Sequence, residues 1–150
     1  MKEQHSEFVR FPHESSLALM LSRLTRSAVL ITLGIGMHLH FTRLFLGTEL
    51  LIKYIYTAAF DAVFAIPMLI GVISFLSTWK HIVFRNKFER VLVSLTGVYF
   101  LASVPLHVQT WYTQNTDYIL IFPLWFSFLF LTYSSLLVIV WSRLKIVIDD

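Results

Sequence analysis

The chain has 150 residues, 57% of them hydrophobic and only 14% charged, with a net charge of +3 and a mean hydropathy of +0.71. Soluble domains carry about 25% charged residues, and a small domain leaves too much surface in water to hide this many apolar groups, so a soluble globular fold is excluded. Cys is absent, which excludes disulfide frameworks, thiol chemistry and Cys-ligated zinc or iron–sulfur centres.

Residues 1–13 (MKEQHSEFVRFPH) are polar and read as a cytoplasmic tail. They do not open a signal peptide, because basic residues continue to Arg26 and no small-residue cleavage site follows a short apolar core. Residues 14–26 place Leu17, Met20, Leu21 and Leu24 at i, i+3, i+4 and i+7, with Ser15 or Ser16 as the N-cap. This spacing predicts a short amphipathic helix lying along the interface before the first span. Residues 14–150 then form one membrane domain.

Four stretches, 27–42, 54–79, 91–116 and 118–142, contain no charged residue except Asp61. In lipid a backbone must satisfy its own hydrogen bonds, so each is expected to be a helix of about 20 residues. The predicted spans are about 27–46, 54–79, 91–112 and 118–142, giving an all-α membrane protein of four transmembrane helices. Pro67, Pro105 and Pro123 fall inside three of them and are expected to free the carbonyls of Val63, Leu101 and Ile119. The basic run 81–90, with Phe84 and Phe88 inserted, reads as a helix extension at the headgroups.

Ten of the twelve Lys and Arg residues precede span one, lie between spans two and three, or follow span four; only Arg43 and Lys53 fall on the other side. By the positive-inside rule both termini face the cytoplasm. The basic residues then need no nucleic-acid partner, since anionic lipid of the cytoplasmic leaflet is contact enough. Trp79 and Trp141 at inner ends, and Tyr54, Trp111, Tyr112 and Tyr118 at outer ends, sit where aromatic belts are expected.

Ionisable residues inside spans are costly and mark function by default. Asp61, eight residues past Lys53, is expected about 12 Å below the outer surface on a face with Ala58, Ala62 and Ala65. His38, flanked by Gly34 and Thr42, falls at a similar depth in the preceding span, so an Asp61–His38 pair is the most economical way to satisfy both groups. His40, about 200° around the helix from His38, is expected with Arg43 at the outer interface or against a partner. His107 lies near the outer end of span three. His38 and His107 are the candidate cofactor ligands, since two span histidines can hold a b-type haem, although their expected depths differ by about 7 Å. The Met37-His38-Leu39-His40 run has ligands suited to copper, but its rings diverge on a helix, and no metal site is assigned.

No GxGxxG, P-loop, HExxH or GxSxG motif occurs, and no catalytic residue is assigned. The leading functional expectation is a non-enzymatic accessory, assembly or regulatory subunit that contacts other membrane subunits, or itself, within the bilayer. The alternative is a small proton-coupled carrier, or a haem- or quinone-binding electron-transfer subunit, using Asp61, His38 and His107.

Overall fold

The computed structural model describes residues 16–147; the tail of residues 1–13 and the N-cap candidate Ser15 lie outside the described residues, as does the side chain of Tyr118. Helix α1 spans Ser16–Leu46, α2 Thr48–Tyr54, α3 Ala58–Thr78, α4 Lys87–Thr113 and α5 Leu124–Arg143. Strands β1 (Ile82–Val83) and β2 (Lys145–Ile146) pair antiparallel, Ile82 opposite Ile146. The four long helices α1, α3, α4 and α5 are each long and apolar enough to cross a membrane.

Local sequence sets the boundaries. Gly47, at φ 79°, breaks the chain between α1 and α2 in a conformation that only glycine adopts freely. Thr57 caps α3 by accepting from the Phe60 amide, and Asn86 caps α4 by accepting from the Glu89 amide at 2.8 Å. Glu89 in turn accepts from the Arg85 amide at 2.6 Å, a reciprocal arrangement like a capping box. Gln114, at φ 55°, closes α4 in the left-handed region.

Four expectations are corrected here. Residues 16–26 are not a separate interfacial helix but the first turns of α1, because nothing between them and span one breaks the hydrogen-bond ladder. The second span starts at Ala58 rather than 54, since residues 48–54 form α2. The last starts at Leu124 rather than 118: Pro123 is its N-cap, and Asp117–Ile121 form a 3-10 turn. The run 81–90 is not a helix extension; a 3-10 turn (Trp79–His81) and β1 occupy it before α4 begins.

Helix α1 packs against both α3 and α5, and α4 packs chiefly against α3. The core runs through Val29, Leu33, Met68, Val93, Phe100 and Leu137. Because lipid is as apolar as leucine, such helices associate by close packing rather than by expelling water. Gly36 shows how: a Cβ there would lie 2.9 Å from Cζ of Phe130, so any larger residue would have to displace that ring of α5. Trp141, expected in an aromatic belt, is instead fully buried and donates its indole N–H to Thr96 Oγ1 at 3.3 Å, while Tyr54, Trp111 and Tyr112 are exposed as expected. The remaining large apolar side chains, among them Ile31, Val63, Leu76, Val98 and Phe128, face outward.

Candidate functional site

Counting along the helices brings several polar groups to the end of the bundle away from the β1–β2 ribbon. Arg43 lies three residues before the end of α1, Asp61 three residues into α3, and His107 six residues before the end of α4. At about 1.5 Å per residue these positions fall within about 10 Å of the helix ends. The inward face of α1 is read off its buried positions: Thr25, Thr32, Leu33, Gly36, Leu39 and Arg43 follow a helical period.

Asp61 is fully buried in the first turn of α3, where the partial positive charge of the helix start favours a carboxylate. Its Oδ1 lies 2.5 Å from His107 Nδ1 and accepts a hydrogen bond from the Tyr56 hydroxyl. With Asp61 ionised, the His107 Nδ1–H is the donor. Asp61 Oδ2, equally buried, makes no hydrogen bond among the described residues. The His107 ring is held edge-on against Phe64, centroids 5.1 Å apart.

Arg43 is 3% exposed. Its Nε donates to Thr48 Oγ1 at 2.8 Å, Nη1 to Ser127 Oγ at 3.3 Å, and Nη2 to the carbonyls of Ile119 (3.4 Å) and Phe122. Every one of these acceptors is neutral, and among the described residues the one acid–base contact within ion-pair distance is Asp61–His107, which is charged on both sides only when His107 is protonated. His40 Nδ1 lies 3.0 Å from the same Ser127 hydroxyl, and its ring stacks on Phe130 with centroids 4.1 Å apart. Between these groups is a cavity of about 120 Å³, lined by His40, Arg43, Tyr99, Ser103 and His107 with an apolar wall that includes Leu51, Phe64 and Phe126.

The pairing expected from sequence is therefore corrected. Asp61 meets His107, not His38, which is exposed on the outer face of α1 and does not line the cavity. Asp61 sits only about 4.5 Å along the axis from the start of α3, because the residues counted as the top of the span, 54–57, are the end of α2 and the connection to α3. Gly34, taken as a packing residue beside His38, has open space around it, and Gly36 is the close approach instead. His38 and His107 do not face a common space, so they do not form a two-histidine haem site. His40 and Arg43, expected at the interface, point into the bundle. Ser127 is buried at the site and Gln109 is exposed.

Arg43 and Tyr56 are the residues that sequence reasoning missed. Arg43 continues the spacing Thr32, Gly36, Leu39 at i+4, i+7 and i+11, and following that small and polar face would have turned it inward. The turn before Pro123 supplies the acceptors: the Phe122 carbonyl, and the Ile119 carbonyl, which also accepts from the Phe122 amide, both take bonds from the guanidinium. Among the described residues no cluster of three or more His, Asp or Glu is placed to hold a metal ion. Comparison with protein-family models, with curated proteins and with solved structures gives no match.

Proposed function

We propose that the chain is a multipass membrane protein of carrier type, which binds a small molecule in the cavity between α1, α3 and α4 and holds a proton on the Asp61–His107 pair. One observation carries this reading: a buried carboxylate, Asp61, is bonded to an imidazole, His107, that lines a cavity also receiving a buried guanidinium. A carboxylate that merely fastened two helices together would need no adjoining cavity. Burial of ionisable groups without function is costly in a membrane.

Of the twelve Lys and Arg residues, ten lie in the tail or near the ribbon end of the bundle, which supports a cytoplasmic location for both termini and an outward-facing cavity. Reporter fusions at Asn86 and Asn115 test this; Asn86 is expected inside and Asn115 outside, and the same side for both overturns the four-span topology.

The competing reading, an accessory subunit working through helix contacts, draws on the outward apolar rows of α3 and α5, which lipid covers equally well. Filling the cavity separates the two. Ser103→Phe is expected to abolish ligand-dependent thermal stabilisation of the purified protein by small amphiphiles while leaving its accumulation in the membrane intact. Wild-type protein that is stabilised by no small molecule, yet co-purifies stoichiometrically with a membrane partner that Ser103→Phe also retains, restores the subunit reading.

A further inference from the structure

Resting on that reading of the cavity, we infer that its ligand is a monocarboxylate with a small apolar body, held by Arg43 and taken up together with one proton. Arg43 is the anchor. A guanidinium offers five N–H donors in a planar fork that matches a carboxylate. The four contacts of Arg43 leave one Nη1–H, and two of those contacts, at 3.3 and 3.4 Å, are long enough to yield to a stronger acceptor. No acidic side chain among the described residues lies within ion-pair distance of it. A buried cation whose acceptors are all neutral is the complement of an anion. His40, bonded to Ser127 through Nδ1, makes no hydrogen bond through Nε2 among the described residues and supplies a second donor or acceptor beside the same position.

The size and walls of the cavity narrow the class. At about 120 Å³ it is well below the roughly 300–1,000 Å³ of sites for drug-sized molecules. Leu39, Leu51, Leu106 and Phe126 surround the polar groups, so the occupant has an apolar part. A single guanidinium neutralises one charge, which fits a monoanion rather than a dianion.

Charge balance then demands the proton. The titratable and charged groups at the cavity are His40 and Arg43 from α1, Tyr56 from the α2–α3 connection, Asp61 from α3, and Tyr99 and His107 from α4. No described residue of α5 or of the turn before it adds another, and Glu49, Lys53 and Asp117 are exposed. With Asp61 ionised its charge cancels that of Arg43, so an arriving monoanion leaves one net negative charge among apolar walls, an expensive state. A proton taken from water by the Asp61–His107 pair restores neutrality. His40 and Arg43 share the Ser127 hydroxyl, whereas the pair already holds a carboxylate to receive the proton.

The test is calorimetric titration of the full-length protein in an uncharged detergent, with butyrate, butanesulfonate and butanol as probes across a range of pH. Butyrate and butanesulfonate are expected to bind with affinity that falls about tenfold per pH unit once the pair has lost its proton, with about one proton taken up per anion. Arg43→Gln is expected to abolish anion binding. Should that variant misfold, Asp61→Asn carries the test: it is expected to flatten the pH dependence and to bind anions more tightly than wild type at high pH. His38→Ala, outside the cavity, is expected to titrate as wild type. Binding of butyrate but not of butanesulfonate means that the neutral acid is the ligand, and overturns the proposal. So does a pH dependence that survives in Asp61→Asn, or chloride competing as well as butyrate. Butanol bound as tightly as butyrate, and insensitive to Arg43→Gln, overturns the anion while leaving the cavity reading intact; no binding of any probe overturns both. Within the carboxylate class, octanoate binding tighter than butyrate assigns a lipid-derived acid, and the reverse order a water-soluble one.

Discussion

The two ends of the bundle treat basic side chains in opposite ways. At the ribbon end most basic side chains turn outward: Arg23, Lys80, Arg85, Lys87, Arg90, Arg143 and Lys145 are all exposed, and the interior is filled by Trp141, Leu144, Ile82 and Ile146. Polar contacts there close helix ends, as when Glu89 accepts from the Arg85 amide or Arg26 donates to the Leu144 carbonyl. At the other end there are few charges, yet Arg43, Asp61 and His107 are all buried. Headgroups and water accept outward charges at little cost, so the ribbon end reads as topology and anchoring. Inward charges have to be stabilised by the protein itself, and a cavity lies beside them.

The contrast can be broken by mutation, and the largest effect belongs to the ribbon end. Trp141→Ala removes a fully buried indole and its bond to Thr96, and should cost about 3–5 kcal/mol in reversible unfolding while leaving ligand binding at the far end unchanged in any protein that still folds. Loss of binding with stability retained would mean that the two ends are one functional unit. At the cavity end the effect is smaller and specific to the pair. Asp61→Ala and His107→Ala should each destabilise, and the double variant should lose less than their sum, with a coupling of about 0.6–1.7 kcal/mol. Strict additivity would falsify the contact. Smallest of all, His38→Ala should change stability by less than about 0.5 kcal/mol and show no coupling to Asp61, because its side chain is exposed.

Much of the architecture is legible in the chain. Charge-free stretches separated by short polar connections locate all four long helices, because lipid leaves the backbone no other choice. The boundaries are less so. Gly47 and Pro123 sit inside runs that hydropathy alone joins to their neighbours, and only their backbone chemistry, a positive φ and a missing N–H, places the breaks. The importance of Asp61 could be inferred from its cost in an apolar segment, but its partner could not. Helix α3 packs against both α1 and α4, so His38 and His107 were both neighbours by topology, and the choice turned on about one turn of depth and on which way α1 faces. Depth went astray because residues 54–57 carry no charge and pass for the start of a span, although they hold the last residue of α2 and the connection to α3. The facing of α1 went astray because Gly34 and Gly36 are equally small, and only the packing of Phe130 distinguishes them.

The most direct test of the buried pair is solid-state NMR on the full chain in lipid, with carbon-13 in aspartate and nitrogen-15 in histidine rings. With Asp61 Oδ1 at 2.5 Å from His107 Nδ1, the Asp61 carboxyl carbon is predicted to show a strong dipolar contact to the His107 ring, one that disappears in His107→Gln and persists in His38→Gln. A contact that instead disappears with His38, or no contact between Asp61 and any histidine, contradicts the site.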